Sequence, residues 1–115
     1  MQMIVSEARE VQLGEFAQKP TALTPDLVEA SVDLWTEGDA SAGYWECSPG
    51  TFTAVRDGYT EVCEIAWGSA TIQPDDGDPV LITAGSTLIM PDGWRGTWTV
   101  HEQLRKLFVI VPTFR

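Results

Sequence analysis

Histidine and cysteine are scarce in this sequence. Its 115 residues include one histidine, His101, and two cysteines, Cys47 and Cys63. Two cysteines are too few for a structural zinc site, and these two do not form a Cys-x-x-Cys pair. We interpret them as reduced thiols, which are typical of a cytoplasmic protein.

Basic residues are also few, with 7 lysines and arginines against 17 aspartates and glutamates and a formal net charge of −10. An acidic surface repels the phosphates of nucleic acids and of anionic membranes, so we expect neither as a partner. The sequence has no long apolar run, and its first ten residues lack the pattern of a secretory signal. We therefore expect no transmembrane helix and a cytoplasmic location.

The aromatic residues include five tryptophans but only two tyrosines. So many large flat side chains in a short chain indicate a lined cavity or a sizeable interface, and filling of the hydrophobic core is the alternative. A chain of this length is expected to form one domain.

Turn residues divide the chain into short segments. Residues 1–34 are interpreted as an N-terminal arm, with a strand at 3–5 and, at 25–34, either a short helix or an extended segment across a barrel or a partner subunit. Residues 35–115 are interpreted as an all-β barrel or sandwich. The predicted strands are 44–47, 51–55, 59–67, 70–73, 80–83, 87–90, 97–100 and 104–111.

Residues 85–96 resemble the second sequence motif of the cupins, G-x5-P-x-G-x2-H-x3-N. Pro91 and Gly93 form the sharp turn of that motif. The position of the motif histidine is occupied by Gly96, and that of the asparagine by Val100.

The first cupin motif, G-x5-H-x-H-x3–4-E-x6-G, is matched only at its two ends. Gly50 fits its start, and Glu61 with Gly68 fits its end, but the hairpin between them is shorter than the motif. The candidates for the two histidine positions are Arg56 with Gly58, Val55 with Asp57, or Ala54 with Arg56. No alignment places a histidine there.

Residues 43–50, together with 95–98 and the pair Arg105 and Lys106, make the resemblance more specific. They are similar to the small single-domain cupins related to the (S)-ureidoglycine aminohydrolase cupin domain, a group that includes the ethanolamine-utilisation protein Q. The resemblance covers residues 35–112. It implies a cupin (RmlC-like) fold, a double-stranded β-helix or jelly-roll barrel, with a ligand at the mouth of the barrel and dimers formed through the strands.

Strand alternation predicts which side chains face the inside of this barrel. If Glu61 faces inward, as the motif glutamate of the family does, Cys63 shares its face. On the last strand, Lys106 with Phe108 competes with Arg105 and its neighbours, and we favour Lys106 because a buried Glu61 needs a charged partner or donors. The candidate catalytic residues are Glu61 and Lys106, and the candidate binding residues are Glu46, Cys63, Trp98, Phe108, Trp45 and Arg95.

Other readings stay open for several of these side chains. Glu61 could be a purely structural carboxylate, and Cys63 a buried, inert thiol. Trp94 is expected to be an exposed contact residue in a turn, and His101 to lie in an exposed turn beside Glu102.

The function expected from these features is that of a small-molecule-binding cupin whose histidine metal positions are lost. We expect no cofactor, because transition metals in cupins depend on imidazole ligands. The first alternative is a metal-dependent enzyme, aminohydrolase- or isomerase-like, that uses carboxylate and thiol ligands and acts on a small polar nitrogenous metabolite. The second is a non-catalytic interaction domain. A homodimer is expected, with no nucleic acid or membrane as partner.

Overall fold

A computed structural model describes residues 2–113, and every regular element in that range is a β-strand. The strands are β1 (Ala17–Gln18), β2 (Val28–Glu37), β3 (Ala40–Cys47), β4 (Gly50–Val55), β5 (Tyr59–Pro74), β6 (Val80–Thr83), β7 (Thr87–Met90) and β8 (Arg95–Pro112). The predicted all-β class is therefore confirmed. Residues 2–113 contain no candidate for a membrane-spanning helix.

The two long strands β5 and β8 organise the sheet. They pair antiparallel along their whole length, from Tyr59 opposite Pro112 to Pro74 opposite Gly96. On its other edge, each long strand pairs with one strand in its first half and with another in its second half. β8 pairs with β4 through residues 95–100 and with β3 through 104–110, whereas β5 pairs first with β7 and then with β6. The sheet therefore bends into two halves, as expected for a jelly roll.

The two halves pack face to face around an aromatic cluster. Trp45 of β3 lies 5.8 Å from Phe52 of β4, and Trp98 of β8 stacks on Phe52 at 5.7 Å between ring centroids. The largest fully buried side chains are those of Trp98 itself and of Leu27, Cys47, Cys63, Ile65 and Leu104. Burial of these apolar surfaces supplies the main favourable term for closing the barrel.

Gly68 lies at the bend of β5, within the second of three shifts in the register with β8. Its φ angle is 94°, and a Cβ atom at this position would collide with the backbone carbonyl oxygen of Gln103. Only glycine combines this positive φ with so close an approach of two strands.

Two strand predictions are wrong because bulges were interpreted as turns. Segments 59–67 and 70–73 form the single strand β5, and segments 97–100 and 104–111 form the single strand β8. The register shifts keep the backbone pairing across the bulges, so the strands bend without ending. His101 consequently lies in β8 rather than in a turn, although it is exposed as expected.

The predictions for the N-terminal region are partly wrong. Residues 25–34 form no helix, because Val28–Glu37 is the strand β2 and its backbone pairs with β3. Residues 3–5 form no strand, and Met3 is 86% exposed. The predicted boundary between residues 34 and 35 falls inside β2, and Met1, Phe114 and Arg115 of the two predicted ranges lie outside the described residues.

We predict that Gly68→Ala lowers the free energy of unfolding by more than about 2 kcal/mol, because a methyl group adds both backbone strain and a steric clash. Gly85 has φ 90° but nothing within 4 Å, so Gly85→Ala should cost only about 1 kcal/mol. Gly77→Ala is the control, with ordinary contacts at 3.5 Å and an expected change below about 0.5 kcal/mol. Urea unfolding measures all three, and equal stability of the Gly68 and Gly77 variants would contradict this account.

Candidate functional site

A cavity of about 420 Å³ lies inside the barrel, within the size range of small-molecule sites. Its walls come from strands β2, β3, β4 and β8, from Glu61 at the start of β5, and from the segment that precedes β2. Apolar side chains such as Phe52, Phe108 and Ile110 line it together with charged ones.

The charged group at the inner end of the cavity is centred on Glu61. The Lys106 Nζ atom donates a hydrogen bond of 2.6 Å to Glu61 Oε2. The Arg56 Nε atom lies 3.3 Å from Glu61 Oε1. All three side chains are at least 89% buried, since their relative exposures are 7%, 11% and 8% for Lys106, Arg56 and Glu61.

Glu61 is ionised at neutral pH despite its burial. Desolvation by burial, the largest single influence, would raise the pKa of this carboxyl group. The opposing charges of Lys106 and Arg56, together with the hydrogen bond from Lys106, outweigh it and hold the pKa of Glu61 below the ordinary 4.5. The inner group is thus an ion pair with an additional guanidinium.

A second ion pair lies nearer to solvent. The Lys19 Nζ atom donates to Glu29 Oε1 at 2.7 Å, and the indole Nε1 of Trp45 donates to the same oxygen at 2.8 Å. The side chains of Lys19 and Glu29 are 16% and 25% exposed. Their place in the wall depends on β2, which pairs with β3 and so carries Glu29 to the cavity.

Both lysines of the cavity also lie over aromatic rings. Lys106 Nζ is 4.7 Å from the ring centroid of Trp45 and 4.9 Å from that of Trp98. Lys19 Nζ is 4.7 Å from the centroid of Phe52. Because cation–π contacts favour the charged ammonium in a partly desolvated site, the rings help to hold both cations in place.

The structure brings four of the eight candidate residues to the cavity wall: Glu61, Lys106, Trp45 and Phe108. Trp98 and Cys63 face the same interior but belong to the buried core beneath it. Burial raises the pKa of Cys63 to about 11, so this thiol is protonated and a poor nucleophile at neutral pH. The predicted inward register of Lys106 and Phe108 is correct.

Glu46 is not near the cavity, contrary to expectation. It points to the opposite face of β3 from Trp45, where it accepts hydrogen bonds from Arg105 Nε at 2.8 Å and Gln103 Nε2 at 2.6 Å. Arg105 in turn donates from Nη1 to the carbonyl oxygens of Ala8 and Val11, at 2.9 Å each. This group therefore attaches the N-terminal segment to the outside of the sheet.

Arg95 also lies outside the cavity. It is exposed at the start of β8, where strand alternation turns it away from the neighbouring buried Gly96. Trp94, expected to be an exposed contact residue, is half-buried and packs against the core. A position in a turn predicts an exposed side chain. Here, however, Gly96 has no side chain and so leaves space for the Trp94 ring.

Three charged residues of the cavity wall were not predicted as site residues: Lys19, Glu29 and Arg56. Among these three, the sequence contained a signal only for Arg56, which two of the three alignments place at a motif histidine position. Lys19 and Glu29 belong to the region interpreted as an arm. No local pattern indicates that the pairing of β2 with β3 brings them to the same cavity as Glu61.

The residues at the cupin metal positions do not fit a metal ion. Lys106 Nζ already occupies the space 2.6 Å from Glu61 Oε2 where a cation would be bound. A Cβ atom at position 96 would come within 2.6 Å of the Trp94 ring, so no ligand side chain can be placed there. Within residues 2–113, no group of three or more His, Cys, Asp and Glu side chains could hold a metal.

We predict that Glu61→Gln lowers the free energy of unfolding by about 3 kcal/mol at pH 7, because Lys106 and Arg56 lose their buried counter-charge. Since the native pKa of Glu61 is below 4.5, its ionised form stabilises the fold above pH 4.5, and this contribution is lost as the pH falls through the native pKa. The difference between the wild type and Glu61→Gln should therefore shrink below pH 4.5 in urea unfolding.

Glu64→Gln is the matched control for this experiment, because Glu64 lies on the exposed face of the same strand. Its stability should remain within about 0.5 kcal/mol of the wild type at each pH. A difference between wild type and Glu61→Gln that stays constant down to pH 3 would contradict the ion-pair assignment.

We also predict that Arg105→Met releases the N-terminal segment from the sheet, because the carbonyl oxygens of Ala8 and Val11 lose their donor. Hydrogen exchange at the amides of residues 10–14 should become at least tenfold faster than in the wild type, while exchange at core amides stays unchanged. Glu46→Gln combined with Arg105→Met avoids an unpaired buried carboxylate and should give the same local effect. Exposed Arg95→Met is the control, and unchanged exchange in both Arg105 variants would refute the attachment.

Comparison with solved structures supports the jelly-roll arrangement. The chain is similar to the EutQ protein of Clostridium difficile, with a TM-score of 0.70 and 24% identity over 89% of this chain and 81% of that one. It is similar to a Salmonella typhimurium protein described as an ethanolamine utilization protein Q, with a TM-score of 0.69 and 22% identity over 86% and 80% of the two chains. At these identities the likeness concerns the fold.

The cupin domain of Cnp3 from Schizosaccharomyces pombe has the same fold, with a TM-score of 0.72 and 14% identity over 97% of this chain and 76% of that one. No curated protein matches the chain in sequence. A family model described as the EutQ-like cupin domain matches residues 35–108, which include Glu61, Lys106 and the bend at Gly68. The chain therefore belongs to the EutQ-like cupin domain family, and its fold is the cupin jelly roll.

Proposed function

We propose that this chain is a small-molecule-binding cupin domain whose ligand occupies the 420 Å³ cavity and contacts Glu61 and Lys106. One observation carries the proposal: three of the seven lysines and arginines, Lys19, Arg56 and Lys106, line this single cavity together with Glu29 and Glu61. Taking charges out of water costs several kcal/mol per ion, and apolar residues would fill a core at lower cost. A polar ligand that binds these charged groups would account for their burial in the cavity.

The inner ion pair offers a ligand one donor and one acceptor in fixed positions. The Lys106 ammonium has two further N–H donors beyond its bond to Glu61, and the ionised Glu61 carboxylate can accept more than one hydrogen bond. The aromatic wall formed by Trp45 and Phe108 suits an apolar portion of the same ligand. Proton transfer to or from a ligand by Glu61 and Lys106, which would make the domain an enzyme, remains a prediction.

The two alternative functions are not equally supported. The metal-dependent, aminohydrolase- or isomerase-like enzyme is disfavoured by the donor set, because lysine and arginine surround the motif glutamate. A homodimeric interaction domain has some support from the exposed apolar side chains of the edge strands β6 and β7, where Val80, Leu81 and Ile89 are 53%, 65% and 66% exposed. Homodimer formation and a cytoplasmic location remain predictions.

We predict that at least one compound in a panel of carboxylates, amino acids, ureides and sugars stabilises the protein in thermal unfolding and binds by calorimetry. At a ligand concentration of 100 times Kd, the stabilisation should be about 2.7 kcal/mol. Glu61→Gln and Lys106→Met should each weaken binding at least tenfold, because each removes one polar contact and leaves its partner unpaired.

The matched control is Glu64→Gln, on the opposite face of the same strand, which should bind as the wild type does. The double variant Glu61→Gln with Lys106→Met leaves no unpaired charge between these two positions, so it keeps the test valid where a single variant unfolds. Wild-type affinity in the double variant, or no binding across the whole panel, would overturn the proposal.

A further inference from the structure

We infer that the cavity selects small organic monoanions, carboxylates in particular, and that the Arg56 guanidinium binds the carboxylate group. This inference rests on the proposed function and specifies its ligand. It depends on the charge balance of the cavity, on the incomplete hydrogen bonding of Arg56, and on the mixed polar and apolar wall.

The cavity carries one more positive than negative charge, although the whole chain has a formal net charge of −10. Lys19 is paired with Glu29 at 2.7 Å, and Lys106 with Glu61 at 2.6 Å. Arg56 is the third cation and only shares Glu61, at 3.3 Å. A ligand with a single negative charge would therefore neutralise the cavity, whereas a dianion would leave a buried negative charge.

The donors of Arg56 are poorly satisfied by the protein. Its buried Nε atom contacts Glu61 without the geometry of a hydrogen bond and has no hydrogen-bond partner among residues 2–113. Its Nη1 atom donates only a long bond of 3.3 Å to the neighbouring carbonyl oxygen of Val55. A guanidinium has five N–H donors, and a buried donor without an acceptor carries a free-energy cost. A bound acceptor at this position would remove that cost.

A carboxylate matches this donor better than the other common anions. The planar guanidinium binds a carboxylate through two parallel hydrogen bonds. A phosphate monoester can also accept two parallel hydrogen bonds from a guanidinium. At neutral pH, however, it carries more than one negative charge, whereas the cavity has an excess of only one positive charge. Phe108 and Ile110 on the wall favour a short hydrocarbon portion, which inorganic anions lack.

The outer ion pair, formed by Lys19 and Glu29, also influences which ligands the cavity selects. Lys19 and Glu29 line the same cavity and are more exposed than the inner group. Because they are paired with each other, they leave the attraction for an anion concentrated on Arg56, which only shares Glu61 with Lys106.

The test compares each carboxylate with its own neutral amide, using butyrate and butyramide, then hexanoate and hexanamide, by isothermal calorimetry at constant ionic strength. Phenyl phosphate serves as a dianionic probe. We expect the wild type to bind each carboxylate at least tenfold more tightly than the corresponding amide, and more tightly than phenyl phosphate.

Variants then locate the anion. Arg56→Met should reduce carboxylate affinity at least tenfold while changing amide affinity less than twofold, and Arg56→Lys should keep part of the preference because it retains the charge but not the planar donors. Arg9→Met removes one exposed cation that does not line the cavity and should leave the preference unchanged. Far-UV circular dichroism confirms that each variant is folded.

Two results would overturn the inference. Equal binding of carboxylates and amides by the wild type contradicts anion selectivity, and this comparison requires no variant to fold. A preference that survives in Arg56→Met and Arg56→Lys contradicts the role of Arg56. If neutral compounds bind and depend on Glu61, the proposed function stands without this inference, whereas failure of every probe and of the wider panel overturns both.

Discussion

The buried ion pair between Glu61 and Lys106 is the interaction on which the interior of this protein depends. It lies where β5 and β8 run side by side, and both residues project from the face that also carries Cys63 and Phe108. Two charges this far from water persist only when each satisfies the other, which requires the long antiparallel register of these strands to be maintained. The bend at Gly68 preserves that register while folding the sheet.

The same pair explains how this cupin differs from the metal-binding pattern of its motifs. The motif glutamate is retained, but its counter-charge is an ammonium group and a guanidinium supplied by the protein itself. The position of the second-motif histidine has become Gly96, and the ring of Trp94 fills the space that a side chain would need. The cavity thus contains a fixed positive charge, which is electrostatically complementary to a negatively charged ligand.

The sequence predicted the fold and the inner half of the site, but not the outer half. Short strands, turn residues and the two partial motifs indicated the jelly roll, and the need of a buried Glu61 for a partner selected the correct register for Lys106. Arg56 was visible only as an unsuitable metal ligand. Lys19 and Glu29 could not be found, because their position depends on β2 joining the sheet, and such long-range pairing leaves no local pattern. Glu46 was misplaced for a related reason: its partner Arg105 lies on the other face of β8.

Side-chain NMR during a carboxylate titration tests the central claim most directly, because it reports on the charged cluster atom by atom. On titration with hexanoate, the Arg56 Nε–H resonance should shift downfield as its buried donor gains an acceptor. The Trp45 indole resonance should shift less, since this group already donates to Glu29. Saturable binding that leaves the Arg56 resonance unchanged while residues outside the cavity shift would contradict the account.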